Sequence, residues 1–329
     1  MEFGPVTLDQ ALGAVLAHSL PLPAGRLRKG KVLDAGDLAA LAAAGIASVI
    51  AARLGPGDMG EDAAALALAR ALVAGAEGLE LQAVGTGRVN VLARGPGLAR
   101  IDAERVDAVN EADPAITLAT VPRWQRMDAG GMVATVKIIA YGLESAAVSR
   151  ACEAGRAALG FARPVLSEAA MIETTVGAAP GDKGHRITAE RLARLGVNLA
   201  PETFVPHEEI ALSQAIGASS APLLLILTAS ATSDIRDVAP AALRRAGGNV
   251  RHFGLPVDPG NLLFLGDLQG RPVVGLPGCA RSPALNGADW VLERLICGVP
   301  LTAGDLRRMG VGGLLKEIPS RPRPRDRRD

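Results

Sequence analysis

Four hydroxyl side chains and two acids crowd the segment that follows the most apolar run of the chain. The run, LLLIL at 223–227, reads as a buried strand, and Thr228, Ser230, Thr232, Ser233, Asp234 and Asp237 come directly after it. Hydroxyls in that place can donate to phosphate oxygens, and Asp237 offers the hard oxygen ligand that Mg²⁺ prefers. Helix capping by Ser233 or Asp234 is the plain alternative, and the two roles can coexist. A second segment, TTVGAAPGDKGH at 174–185, supplies Thr175, Gly177, Asp182 and Lys183. Its glycines permit a curled main chain, and Lys183 is a point charge for phosphate. The GxxxxGK[ST] pattern of a Walker loop is absent, and a structural turn is the competing reading. The third segment is LPGCARSP at 276–283, after the strand-like VVGL at 273–276. There Gly275, Pro277 and Gly278 shape a tight turn, and Ser282 is placed to cap a last helix with Pro283 in its first turn. Free N–H groups at such a turn are an anion cradle.

Other reactive residues are less well placed. Cys152, Cys279 and Cys297 are isolated, with no CxxC spacing. Cys279 has no identifiable partner base, so it reads as a small loop residue rather than a nucleophile. His207, Glu208 and Glu209 are adjacent and do not share a helix face, so they are no HExxH zinc site. Arg123, Trp124, Arg126 and Asp128 read as a packed loop, with a crevice lining as the alternative.

The elements that must position these loops follow from composition and pattern. The chain has 329 residues, 49% of them apolar but only 2% aromatic, and a net charge of +1. Few aromatic platforms and a balanced charge argue against a nucleic-acid surface. The basic stretch at 319–328 reads as a solvated tail. No apolar run reaches the roughly 20 residues of a membrane span, and the expectation is a soluble cytoplasmic protein.

The first half reads as α+β. Helices are expected at 8–18, 37–44, 58–72 and 144–159, with strands at 46–52, 79–81, 89–92, 116–121 and 133–139. The second half alternates more regularly. Strands are expected at 170–176, 197–204, 223–227, 250–253 and 271–274, with helices at 183–195, 208–216, 235–246 and 284–295. That alternation predicts a mostly parallel sheet covered on both faces, with ligands beyond the carboxyl ends of its strands. The expected division is an N-terminal α+β region at 1–160, an α/β domain at 161–300 and an extension at 301–329.

The same loops carry a resemblance. GLPVDPGN at 254–261 resembles the pattern G-x-P-V-x-P-G-K, and GRPVVGLPG at 270–278 resembles G-x-P-V-F-G-L-P-G. TASATSDIRDVAP at 228–240 is similar to T-G-G-T-G-x-x-x-R-D-x-x-P. These are marks of the molybdopterin-binding domain shared by molybdopterin adenylyltransferases and molybdopterin molybdenumtransferases. Residues 1–160 and the segment 309–319 resemble bacterial proteins that join this domain to a nucleotidyltransferase module.

The resemblance implies a three-layer α/β/α fold, a homo-oligomer, a pterin ligand bearing a phosphate, and assistance by Mg²⁺. It implies that Asp237 positions metal or phosphate, and that Thr228, Ser230 and Thr232 line the cradle. Gly275, Pro277, Gly278 and Ser282 would form the opposite wall. The chain departs from the pattern in several places. Side chains replace the glycines at 229, 230 and 232, the family's acid is displaced or replaced by His207, Asn261 stands at the lysine, and Cys279 stands at an asparagine. The implied activity is therefore binding of molybdopterin or a molybdenum-cofactor precursor. Mg²⁺-dependent adenylyl transfer or metal insertion is one alternative, and a non-enzymatic interaction module is the other. A separate nucleotidyltransferase or a molybdoenzyme is the implied partner, with no role for nucleic acid or membrane.

Overall fold

A computed structural model of the chain describes residues 1–23, 25–177 and 181–315. The chain forms two compact units, one of residues 1–95 and 99–161, the other of residues 96–98 and 162 onward. The basic tail lies outside the described residues.

The first unit is α+β. Strand Ser48–Arg53 lies between Glu2–Thr7 and Val15–Leu16, antiparallel to both. The helix expected at 8–18 does not form. Leu8–Gln10 makes a single 3₁₀ turn, Gly13 sits at φ +77°, and Val15 and Leu16 join the sheet instead. A positive φ ends helical propagation, and pairing with Ser48–Arg53 buries Leu16 completely. Helix Ala35–Ala43 opens on a reciprocal cap between Asp34 and Asp37. A four-stranded antiparallel sheet, in the order 116–120, 132–138, 88–93, 79–85, packs against helices Glu61–Leu72, Ala103–Ala112 and Ser145–Ala154. Residues 58–60, expected in the helix that follows, form a short strand with 142–144. The helix expected to reach 159 ends at Gly155, because Ala157 turns left-handed at φ +57° and Leu159 starts a strand. Helix Ala103–Ala112 is an element that the sequence pattern did not reveal; its mixed acids and alanines give it a weak apolar stripe. Arg123 stacks on the ring of Trp124 at 5.4 Å, and Arg126 pairs with Asp128, as in a packed loop.

The second unit is α/β. Its strands are β1 (Glu168–Thr175), β2 (Asn198–Leu199), β3 (Thr203–Pro206), β4 (Leu224–Leu227), β5 (Asn249–Phe253), β6 (Phe264–Leu268) and β7 (Arg271–Leu276). Its helices are α1 (Lys183–Ala193), α2 (Glu209–Ala218), α3 (Val238–Arg245), α4 (Gly287–Ile296) and α5 (Ala303–Arg307). The sheet order is β2-β1-β4-β7-β6-β5, with β3 also pairing β1. β1 is parallel to β2, β3 and β4, and β4 is parallel to β7. β6 is antiparallel to both of its neighbours, so the sheet is mixed, with one reversed strand. This strand was not expected from the sequence. It is made by a two-residue turn at Gln269 and Gly270, with φ of +53° and +81°, which closes a tight hairpin onto β7.

Side-chain parity sorts the faces of this sheet. Leu224 and Ile226 of β4 pack with Leu212 and Ile216 of α2 and with Ala239, Ala242 and Leu243 of α3. Leu227 points the other way, where the first turn of α1 lies so close that a Cβ on Gly184 would meet it at 2.8 Å. α1 and α4 are joined by a buried ion pair between Arg191 and Asp289, Nε to Oδ1 at 2.7 Å. Every parallel strand therefore delivers its carboxyl end to one edge, where the segments after β1, β3, β4 and β7 begin.

Candidate functional site

The segments after β4 and β7 meet. Arg281, in the 3₁₀ turn Gly278–Arg281, donates from Nη2 to the carbonyl of Thr228 at 3.1 Å and to Oε1 of Glu173 at 2.7 Å. Parallel pairing of β4 with β7 makes this meeting inevitable, since Leu227 stands opposite Leu276. An ion pair between Arg281 and Glu173 lies at this meeting. Glu173, on the face of β1 opposite to Ile172 and Thr174, has its side chain 1% exposed, whereas Arg281 is 30% exposed.

The segment after β3 joins them through Thr174. Its hydroxyl accepts from the N–H of Ala229 at 2.9 Å and lies 2.8 Å from Nδ1 of His207. The hydroxyl donates to Nδ1 when the His207 proton is on Nε2, and accepts from it in the other tautomer. The pairing of His207 with the buried Thr174 is absent from the sequence reading, which placed the β1 threonine of the site at Thr175. Thr175 is half-buried, and its hydroxyl donates to the carbonyl of Val205 at 3.4 Å. The signal available was parity: Ile172 and Thr174 share the face that packs on α2 and α3.

The hydroxyls of the segment 228–237 divide into two groups. Thr228 and Thr232 are buried and bond each other at 3.3 Å, while Ser230 is exposed. Asp234 is bound by Arg236, whose N–H and Nε both donate to Oδ1, at 2.8 and 2.9 Å. That pairing holds the Asp234 carboxyl down at about 2. Asp237 is the N-cap of α3, so the expected caps Ser233 and Asp234 are not used and the helix starts later than 235. Its Oδ1 accepts from Val238 N at 2.8 Å and its Oδ2 from Ser233 N at 3.1 Å. Each oxygen is thus engaged by the main chain, and among the described residues no group of three or more His, Cys, Asp or Glu gathers to hold a metal ion. Asp237→Ala is expected to cost about 1 kcal/mol and Asp237→Asn only a few tenths, because Asn caps as well as Asp; urea unfolding of the variants reads the difference.

Before α1, no described residue stands within 4 Å of where a side chain on Gly177, at φ +76°, or on Gly181 would project. Asp182 and Lys183 are exposed, and Asp182 holds the N-cap position of α1 without a capping bond. Residues 178–180, part of the expected anion loop, lie outside the described residues.

The wall after β7 differs from expectation. Gly275 is glycine for packing: a Cβ there would lie 1.9 Å from Cε1 of Phe264 on β6. Gly278, by contrast, is open, with only Arg281 Nη1 at 3.9 Å, and Pro277 leads into the 3₁₀ turn. Ser282 does not cap α4. Asn286 does, in a reciprocal cap with Asp289, and the Ser282 hydroxyl accepts from Ala284 N at 3.3 Å. The segment is pinned from beneath by Arg191, which donates to the carbonyls of Ala280, Ser282 and Ala284. Cys279 is exposed beside Asn286, whose Nδ2 stands 3.1 Å from Sγ; burial pushes the Cys297 thiol up to about 12. The motif GLPVDPGN has internal partners: Pro259 accepts from Gly287 N at 2.8 Å, and Asp258 N donates to the carbonyl of Gly313 at 2.8 Å.

The described residues of the first unit line clefts. One, of about 330 Å³, is lined by Leu22, Arg26, Leu27 and Ala40, and another, of about 370 Å³, by Phe3, His18, Lys29 and Tyr141. Among the described residues no helix is long and apolar enough to cross a membrane.

A family model described as a domain of unknown function, DUF8806, matches residues 5–53. No curated protein matches the chain. Among solved structures, the chain is similar to a molybdopterin biosynthesis moeA protein from Pyrococcus horikosii at 13% identity and a TM-score of 0.29, covering 93% of this chain and 75% of that one. It is similar to molybdenum cofactor biosynthesis protein B at 14% identity and a TM-score of 0.29, over 41% of this chain and 92% of that one. A second moeA structure, from Pyrococcus horikoshii OT3, shares 9% identity at a TM-score of 0.28, over 91% and 74% of the two chains.

Proposed function

We propose that the second unit binds a phosphate-bearing pterin, molybdopterin or a molybdenum-cofactor precursor, and holds it without turnover. One observation carries the reading. Arg281 brings the 3₁₀ turn after β7 against the carbonyl of Thr228, so the two motif-bearing segments form one surface at the carboxyl edge of the sheet. Ligands of such sheets bind at this edge. Exposed Lys183, exposed Ser230 and the open glycines Gly177, Gly181 and Gly278 are the groups there that can receive an anion. Helices on both faces of the sheet suit a three-layer fold. Engagement of both Asp237 oxygens by the main chain favours binding over Mg²⁺-assisted chemistry.

The test is mass spectrometry of protein purified from a molybdenum-using host, paired with calorimetric titration by molybdopterin. A pterin is expected to co-purify and to bind, and Lys183→Ala is expected to weaken binding about tenfold, the size of one lost charged hydrogen bond. If none co-purifies and none binds, the reading is wrong and an interaction module takes its place. Nucleotide-dependent adenylylation or molybdate insertion, lost in Asp237→Asn, would replace it with an enzyme of cofactor assembly.

A further inference from the structure

Beneath the meeting of the turns lies a pair of carboxyl groups that no motif marks. Glu173 is completely buried at the end of β1. Its Oε1 accepts from Arg281, but its Oε2 is buried with no hydrogen-bond donor. Glu202, between β2 and β3, has a buried Oε1 in the same condition. Thr203 pairs with Ile172 and Phe204 with Glu173, so Glu202, one residue before that pairing, comes to the face of the sheet that carries Glu173.

Orphaned buried oxygens are costly, and two carboxylates in contact add repulsion. One proton removes both faults, because an O–H on one carboxyl donates to the other. The surroundings offer little else. The main chain of α1 closes over the pair, so that a Cβ on Gly184 would lie 2.8 Å from Oε2 of Glu173. Of the charged groups facing the pair, Arg281 comes from the 3₁₀ turn and contacts Glu173 through Oε1. His185 and Asp182 come from the start of α1 and act on Glu202 with opposite signs. The His185 ring also bonds the carbonyl of Ala200 through Nε2 at 2.9 Å.

We propose that Glu173 and Glu202 share a single proton and form a pH-sensitive latch, tying the segment between β2 and β3 to the ends of β1 and α1. Opening the latch is one deprotonation. The O–H bond of Glu202 breaks, the proton passes to solvent, and two carboxylates are left facing one guanidinium. The repulsion then acts on the segment 200–202 and, through the contact between Ala200 and His185, on the first turn of α1, which carries Lys183. The latch does not depend on what the second unit binds.

Burial, followed by the hydrogen bond and charge of Glu173, pushes the Glu202 carboxyl above the ordinary glutamate range. A group raised in the folded state contributes stability that is complete below its unfolded pKa and is lost as pH rises through the folded one. Glu202→Gln keeps a donor toward Glu173 at every pH and removes the titration. The experiment follows thermal unfolding of the full chain between pH 5 and pH 8, alongside NMR of ¹³C-labelled glutamate carboxyls, for the native chain, E202Q and E173Q. The native chain is expected to lose about 3 °C more than E202Q across this range. One glutamate carboxyl is expected to titrate above the ordinary range, to vanish in E202Q, and to move back toward that range in E173Q. Absence of that resonance overturns the shared proton; its presence with parallel stability profiles for the native chain and E202Q overturns the latch.

Discussion

Replacing Arg191 by Met is expected to lower the stability of the second unit by about 3–5 kcal/mol, a fall in Tm of roughly 10 °C. The guanidinium is buried with Asp289, both side chains 5% exposed, and also serves the carbonyls of Ala280, Ser282 and Ala284. Methionine fills comparable volume but leaves the Asp289 charge without its counter-ion and three carbonyls without that donor. The cost comes from the uncompensated charge more than from the lost attraction, so a second change at Asp289 discriminates. In Arg191→Met with Asp289→Asn, the amide oxygen still caps α4 and no charge is buried, and about half of the loss is expected to return. The cycle is measured by urea unfolding monitored through Trp290, which sits on α4. Additive losses would show that Arg191 and Asp289 do not act as a pair. The segment 278–284 hangs from Arg191, so the same variant is expected to weaken any ligand held by Gly278 or Arg281, even where the fold survives.

Gly275→Ala is expected to cost about 3 kcal/mol, unusual for the addition of one methyl group. The added Cβ would fall 1.9 Å from Cε1 and 2.1 Å from Cδ1 of Phe264, whose side chain is almost wholly buried. The ring belongs to β6, directly across the hairpin from β7, where Phe264 is the register partner of Gly275. The ring cannot leave without vacating the core it shares with Leu224 and Val273. Trimming it tests the cause: Phe264→Leu alone destabilises by about 1–2 kcal/mol, and in the Gly275→Ala background it is expected to restore stability. Loss of ligand binding in Gly275→Ala with unchanged stability would instead assign this glycine to main-chain contact with an anion.

Both predictions concern residues whose type was visible in the sequence and whose role was not. Gly275 lies in a motif that resembles an anion-binding loop, and Gly278, three residues on, is exposed in the 3₁₀ turn. Its own constraint comes from Phe264, an aromatic on a strand hidden within an apolar, glycine-punctuated stretch. Asp237 offers the right chemistry for a metal, and only the structure shows that its oxygens also accept from the backbone N–H groups of Ser233 and Val238. Arg191 reads as one of several basic residues on an amphipathic helix until α4 is brought against it.

By itself the sequence determined which segments end up at the carboxyl edge. Apolar runs such as LLLIL at 223–227 must be buried, and alternation with helical segments makes their pairing parallel, so the turns after them share one side of the sheet. It also marked Gly177, Gly278 and Lys183 through local backbone freedom and charge, properties that a residue carries without its neighbours. Only the tertiary structure decided the floor of that edge. Glu173 and Arg281 are separated by 108 residues, and Glu202 reaches the pair from a third segment. Burial, orphaned oxygens and shared protons belong to such meetings, because solvation and charge depend on what surrounds a group in space and not on what precedes it in the chain.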